Sequence, residues 1–356
     1  MAVDAGRLTD FATAILAYAG KDAGRAAKVA ARLVGANLAG HDSHGGGMIP
    51  AYVDGILAGQ LDAAADIELV QDKGPFLLVD GHRGFGHIVA EQAMTLAIDR
   101  AQTHHFAMLS LRNSFHLGRL GDWGIMAAEA GFICILYANV QSVRPLVAPF
   151  GGSDARFVTN PYCTAIPATE KHPMFVLDMA TSTIAMGKAR VAQLSGKPAP
   201  EGALIDAQGN ATRDPSVVFD GAGGALTAFG QHKGFGLALL GDILGGSFSG
   251  GGAYAPEREV PDRIVNNMMA ILIDPNVFGL AQSFGVDVDS YTDWVKASPA
   301  APGTAGVQFP GDPERRSTAE RSAKGIPLDA GTLAQLSEAA RKAGVPASEH
   351  LCSTSD

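Results

Sequence analysis

The feature that most constrains this chain is the alternation, between residues 67 and 137, of short apolar runs with longer amphipathic ones. Ile67-Glu68-Leu69-Val70 and Phe76-Leu77-Leu78-Val79-Asp80 read as strands parted by a Lys-Gly-Pro turn. Residues 81–86 turn the chain, and 87–103 then carry Ile88, Ala93, Met94, Leu96, Ala97 and Ala101 at helical spacing. A buried strand over 106–111, a helix over 122–130 and a strand over 132–137 continue the pattern. Strands and helices in such alternation must cover a sheet with helices, so the class is α/β.

The flanks add helices and loops. Residues 4–38 read as two helices, with Phe11, Ile15 and Leu16 on one apolar face and Ala26, Val29, Ala30, Leu33 and Val34 on the next; 52–57 start another. Residues 174–177 form a strand that delivers Asp178, and Met179-Ala180-Thr181-Ser182 open a helix running through Lys188. The Gly-, Pro- and Asp-rich stretch 195–225 is expected as a long surface excursion. Gln231-His232-Lys233-Gly234 leads into an apolar helix closed by the glycines of 245–252, and 267–273 is a further strand. Helices are expected over 286–296 and 333–343, with loop over 298–326. The organisation expected is an N-terminal helical and substrate portion (1–75), an α/β cofactor and catalytic core (76–297), and a C-terminal loop and helix (298–356) packing back on the first portion.

Composition excludes several classes. Hydrophobic residues at 47% and charged residues at 18% describe a globular chain. A formal charge of −9 argues against a nucleic-acid partner, which needs a basic face. Three widely spaced cysteines (Cys134, Cys163, Cys352) make neither a disulfide framework nor a zinc knuckle. With no apolar run near the ~20 residues of a membrane span and no signal-peptide pattern, a soluble cytoplasmic protein is expected. Glycine is abundant, 44 of 356 residues, which without a collagen period implies many tight loops and close backbone contacts.

Chemistry concentrates at Gly40-His41-Asp42-Ser43-His44-Gly45-Gly46-Gly47-Met48-Ile49-Pro50-Ala51-Tyr52, just past a helix end. His41 and His44 with Asp42 have the residue types of a metal site, but no second acidic cluster or HExxH accompanies them, and no metal is expected. Ser43, His44 and Asp178 have those of a hydrolase triad, but Ser43 lacks the G-x-S-x-G elbow. Acid–base work by histidine is the reading that remains. His116, in the polar loop Asn113-Ser114-Phe115-His116 after a buried strand, is a second candidate at a position where α/β sheets place ligands. Lys233 at a glycine-rich helix start suits a phosphate or carboxylate. Gly84-Phe85-Gly86 is only a fragment of a dinucleotide fingerprint, because Val89 stands where its third glycine belongs.

Taken together, these stretches resemble the malate/L-lactate dehydrogenase-like family of NAD(P)-dependent oxidoreductases, which is unrelated to Rossmann-fold lactate dehydrogenases. The matching segments span nearly the whole chain: Ser43-His44-Gly45 with Pro50 and Tyr52, Asn113 to Gly118, Ala148 to Gly152, Thr159-Asn160-Pro161, Leu177 to Ala180, Gly187-Lys188, Gly209 with Asp214-Pro215, His232 to Leu237, and Pro310-Gly311. The resemblance implies a non-Rossmann mixed-sheet α/β fold with an N-terminal helical portion, a homodimer, and a small 2-hydroxy or 2-oxo acid as substrate. It makes His44 the proton donor or acceptor, oriented by Ser43 and Asp178, with His116 lining the substrate and nicotinamide pocket and, in some accounts of relatives, serving as the base. Met48, Tyr52, Asn113, Arg119 and Thr159 would meet the substrate. NAD or NADP would lie along His116, Gly118, Asp178-Met179-Ala180, His232-Lys233 and Gly311-Asp312. Relatives commonly carry arginine where Met48 stands, so either Arg119 or Arg144 supplies the carboxylate's cation or the substrate differs, a cyclic imine being one alternative. A nucleotide-binding protein that has lost catalysis is another. Val158 likewise replaces a glycine usual before Thr159.

Overall fold

The computed structural model describes residues 1–141, 144–219, 221–255 and 264–345; Cys352 lies outside them. The chain opens with β1 (Ala2–Val3), α1 (Ala5–Gly20) and α2 (Ala23–Leu38). Asp4 and Asp22 cap the two helices, accepting the N–H groups of Arg7 and Arg25. Two short 3-10 turns over 42–48 follow, then α3 (Ile49–Leu57).

The next elements are β2 (Glu68–Lys73), β3 (Phe76–Asp80), α4 (Gly86–His104), β4 (Phe106–Ser114), α5 (Gly121–Glu129), β5 (Ile133–Gln141), β6 (Tyr162–Ile166) and β7 (Phe175–Met179). After α6 (Met186–Leu194) come three short strands, β8 (Leu204–Ile205), β9 (Ala211–Thr212) and β10 (Ala225–Leu226). The chain ends in α7 (His232–Leu240), β11 (Val265–Ile273), α8 (Ala281–Lys296), α9 (Asp312–Lys324), β12 (Ile326–Pro327) and α10 (Ala330–Ala343).

Seven strands form one mixed sheet in the order β2-β3-β4-β11-β5-β6-β7. Only β3 and β4 run parallel, joined by α4 as a parallel connection requires; the other neighbours are antiparallel. α4 and α5 lay Val89, Ala93, Met94, Ala97 and Trp123 on Leu109, Leu111, Leu136, Met268 and Leu272 of the sheet. A second cluster joins α1, α2 and α3 to Leu336, Ala339 and Ala340 of α10, and draws in Phe85, Ile88 and Phe115. The site described below sits where these two clusters meet.

Three expectations are corrected. Residues 195–225 are not a bare excursion: β8, β9 and β10 pair, and Leu204, Val218 and Leu226 bury with Val147, Phe157 and Ala238 in a third cluster. Short strands between turn residues escape a reading keyed to longer periodic runs. The helix expected from Met179 begins only at Met186, because Thr181 is committed to Thr159 and Asn160, whose carbonyls accept its hydroxyl. The loop expected over 298–326 contains α9, which buries none of its side chains and so shows no apolar period. Its end signals were present: Pro313 in the first turn beside Asp312 and Glu314, Arg321 and Lys324 in the last, and Gly325 after it.

Candidate active site

The loop after α2 is held from both sides. Asn37, buried on α2, accepts the Gly46 N–H at 2.7 Å and donates to Asp42 at 2.7 Å. A Cβ at Gly45 would fall 2.3 Å from the Asn37 side chain, so this glycine serves close packing on α2. From the other side α9 supplies Arg321, which donates to both Asp42 oxygens at 2.6 and 3.0 Å, while Glu314 lies 3.2 Å from His41 Nε2. Asp42 is thus held by Asn37 and Arg321, and His41 is paired with Glu314 while its charge still reaches His44 and Asp178.

His44 Nδ1 lies 3.0 Å from His116 Nε2, with the two rings 4° from parallel. His116 Nδ1 lies 2.9 Å from the hydroxyl of Tyr52, which is also 3.3 Å from His87 Nδ1. Tyr52, His87 and His116 are buried, and His44 is only partly covered at the outer end of this row. α3 presents Tyr52, α4 presents His87, and the loop after β4 presents His116. That loop is pinned by Asn266 of β11, which accepts the Leu117 N–H at 2.9 Å. The glycines of 84–86 are explained by the same packing: a Cβ at Gly86 would lie 2.0 Å from the His116 carbonyl oxygen. Gly86 brings α4 onto His116, and Gly84 packs against Val89 and the Ala65 and Gly81 carbonyls.

Burial pushes the pKa of His116 well below the usual histidine value, and the charges of His44 and His87 would add to the shift. His87 is pushed down to about 3, by burial first and by the Arg32 guanidinium second. His44 is lowered by burial too, but Asp178 opposes the shift while His41 and Arg119 add to it. Burial raises the Asp178 carboxyl, offset by His41, Arg119, the Gly121 N–H and His44. Gly121 N–H donates to Asp178 at 2.9 Å, so the carboxylate sits on the N-terminus of α5 and acts on His44 through charge.

The remaining expected residues fall into two groups. The cofactor candidates lie along the edge strand β7. The Val176 N–H reaches the Pro310 carbonyl, before Gly311 and Asp312, at 3.3 Å. Asp178, Met179 and Ala180 follow, and the chain just beyond is stitched to the approach to α7, with Phe229 N–H on the Thr181 carbonyl at 3.0 Å and Thr183 N–H on that of Thr227 at 2.8 Å. His232 and Lys233 then open α7, both exposed. Gly118, at φ +75°, packs on His87, whose Nε2 would lie 2.2 Å from an added Cβ.

The substrate candidates are more scattered. Ser43 is exposed and faces Gly187. Arg119 is buried and paired with Asp122 at 2.7 Å, within reach of the fields of His44 and Asp178. Asn113 donates to Asp80 at 3.1 Å, Met48 packs against the N-terminal helical cluster, and Thr159 uses its carbonyl to hold Thr181. Arg144 donates to the Val218 carbonyl at 3.0 Å, away from this row.

The family model described as malate/L-lactate dehydrogenase matches residues 3–337. The chain belongs to that family. Hydroxycarboxylate dehydrogenase B of Escherichia coli (strain K12) is 42% identical over 345 residues, covering 96% of this chain and 94% of its own length. The solved sulfolactate dehydrogenase from Methanocaldococcus jannaschii superposes with a TM-score of 0.86 at 30% identity, over 98% of this chain and 99% of that one. A Δ1-piperideine-2-carboxylate reductase from Pseudomonas syringae superposes with a TM-score of 0.80 at 27% identity, over 95% and 99%. His44 stands at the accessible end of the buried row. Sequence reasoning treated His87 only as a helix start. The signal was a histidine among apolar residues on a helix face that had to be buried.

Proposed function

We propose that the chain is an NAD(P)-dependent dehydrogenase of small 2-hydroxy acids in which His44 exchanges the proton. The observation that carries this is the His44–His116 pair. With Nδ1 spent on His116, Nε2 is the nitrogen left for a substrate hydroxyl or carbonyl. When His44 takes the hydroxyl proton, Asp178 offsets the imidazolium charge in a partly water-excluded setting. Ser43, next to His44 in the chain and exposed opposite Gly187, orients the imidazole or substrate, and Arg119 supplies the positive field for a carboxylate that Met48 cannot. Met48, Asn113 and Thr159 complete the substrate side through packing and backbone support, and Tyr52, fully buried, acts on it only through His116. The relatives named for hydroxycarboxylate and sulfolactate support this substrate class over a cyclic imine, whose reductase is the more distant likeness.

The nicotinamide cofactor would accept or give the hydride. Its fit rests on the donor set along β7. Lys233 is exposed with no ion pair among the described residues, at the start of α7 just past Gly230 and Gln231 at φ +53° and +59°; the N–H groups of Lys233, Gly234 and Phe235 already serve the Gly230, Phe229 and Gln231 carbonyls, so the lysine charge is what this helix start offers. A cation beside a helix start suits a diphosphate. His116, Gly118, Asp178, Met179, Ala180, His232, Gly311 and Asp312 would line the rest. The apolar face of α7 and its continuation, with Leu239, Leu240, Ile243 and Phe248 exposed, supports a homodimer. No helix among the described residues is long and apolar enough to cross a membrane, and a cytoplasmic setting goes with this reading. Initial rates with a panel of 2-oxo acids, sulfo-acids and cyclic imines, each with NADH and with NADPH, test it; turnover of none of them would defeat it.

A further inference from the structure

The buried end of the row carries a consequence for the proton on His44. The Tyr52 hydroxyl has one proton and two lone pairs, and meets three groups: His116 Nδ1 at 2.9 Å, the His116 carbonyl at 3.2 Å and His87 Nδ1 at 3.3 Å. A carbonyl only accepts. His116 in turn must either accept from His44 Nδ1 through its Nε2 or donate to it. If His116 Nε2 carries the proton, His44 Nδ1 must be bare, and that contact fails once His44 becomes an imidazolium, because two N–H groups then face each other. If His116 carries its proton on Nδ1 and donates to Tyr52, its Nε2 accepts from His44 Nδ1–H whether His44 is neutral or charged. Only this second arrangement survives the gain and loss of a proton at His44. It requires that Tyr52 accept from His116 Nδ1–H and donate its own O–H to the His116 carbonyl or to His87 Nδ1.

We propose that Tyr52, oriented by His87, is a positioning residue that holds His116 as the acceptor for His44 Nδ1–H and so leaves Nε2 as the one titrating nitrogen of His44. This rests on the reading of His44 as the proton-exchanging group. The surroundings favour it from each side. Burial keeps His87 and His116 neutral, with Arg32 adding to the effect at His87, so neither holds the charge. Asp178 stabilises charge on His44, against His41 and Arg119, each of which has its own carboxylate partner in Glu314 and Asp122. Tyr52 remains a phenol because burial raises its pKa well above the usual value. Its ring is fixed between Phe85 and Phe115, at centroid distances of 5.9 and 5.2 Å.

Nitrogen-15 spectra of histidine-labelled full-length protein test the arrangement without reference to activity, with resonances assigned by single His→Gln variants. The expected result is His116 as the Nδ1–H tautomer throughout, with His44 Nε2 the one nitrogen of the His44, His116 and His87 row that titrates; a His116 Nε2–H tautomer overturns the proposal. Tyr52→Phe keeps the ring and deletes the hydroxyl. It should lower kcat at least about tenfold, part of a general acid–base contribution, leave substrate KM within about twofold, and shift the pH–rate profile. His87→Gln, which keeps a polar partner for Tyr52, should retain more kcat than His87→Leu. A Tyr52→Phe enzyme with a lowered melting temperature but wild-type kcat and pH profile would show a structural role only and overturn the proposal. Should His44→Ala stay active, the functional reading falls, while the tautomer measurement still decides the arrangement on its own.

Discussion

His87→Gln is expected to flatten the acid limb of the stability curve by about one proton. In the folded chain His87 is enclosed by Tyr52, His116 and the backbone at Gly118, and burial with the Arg32 charge holds its pKa at about 3. In the unfolded chain the same imidazole titrates near 6.5. Above that value neither state binds the proton, and the term is constant. As pH falls from about 6.5 toward 3 the unfolded state gains a proton that the folded state refuses, so stability falls by roughly 1.4 kcal/mol per pH unit. The full loss is about 5 kcal/mol by pH 3, comparable to the whole stability of many domains. His116 and His44 shift in the same direction and add to the slope, while the raised carboxyls of Asp178 and Asp242 take from it. Glutamine carries no titratable proton and removes one share of it. The assay is urea unfolding between pH 7.5 and 5 at fixed protomer concentration, since association would otherwise move the midpoint. Parallel free-energy curves for wild type and His87→Gln over that window would show that His87 is not held neutral by burial.

Other outcomes follow from the same geometry. His44→Ala should lower kcat by about 10²–10⁴, the usual weight of a general acid–base, while a fluorescence titration with NADH or NADPH shows binding largely kept; near-normal turnover would remove His44 from the mechanism. Gly86→Ala should cost about 1–3 kcal/mol or more, as overpacking does, because the His116 carbonyl that it meets at 2.0 Å is backbone and cannot swing aside; a urea midpoint equal to wild type would contradict the packing. Met48→Arg should raise kcat/KM for malate or lactate if this position selects the substrate, and an unchanged substrate profile would assign Met48 to the helical core alone.

Much of this protein was legible as local pattern. The amphipathic periods of α1, α2 and α4, the strand runs of β3, β4 and β11, and the histidines at 44 and 116 all stand out, because each is marked by its immediate neighbours in the chain. The ordered series of short motifs also pointed to the family. Two things lay beyond that pattern. α9 buries no side chain and is held by its end signals and by bonds such as Arg321 to Asp42, so a hydrophobic period could not reveal it. The partners of His44 came from the meeting of three elements far apart in the chain: Tyr52 on α3, His87 on α4 and His116 after β4 converge only because the helical cluster packs on the edge of the sheet cluster. The sequence determined which side chains can carry a proton, since that is intrinsic chemistry. Which imidazoles are stripped of water and which one stays partly exposed came only with the tertiary structure, because burial and hydrogen-bond partners are properties of the assembled site.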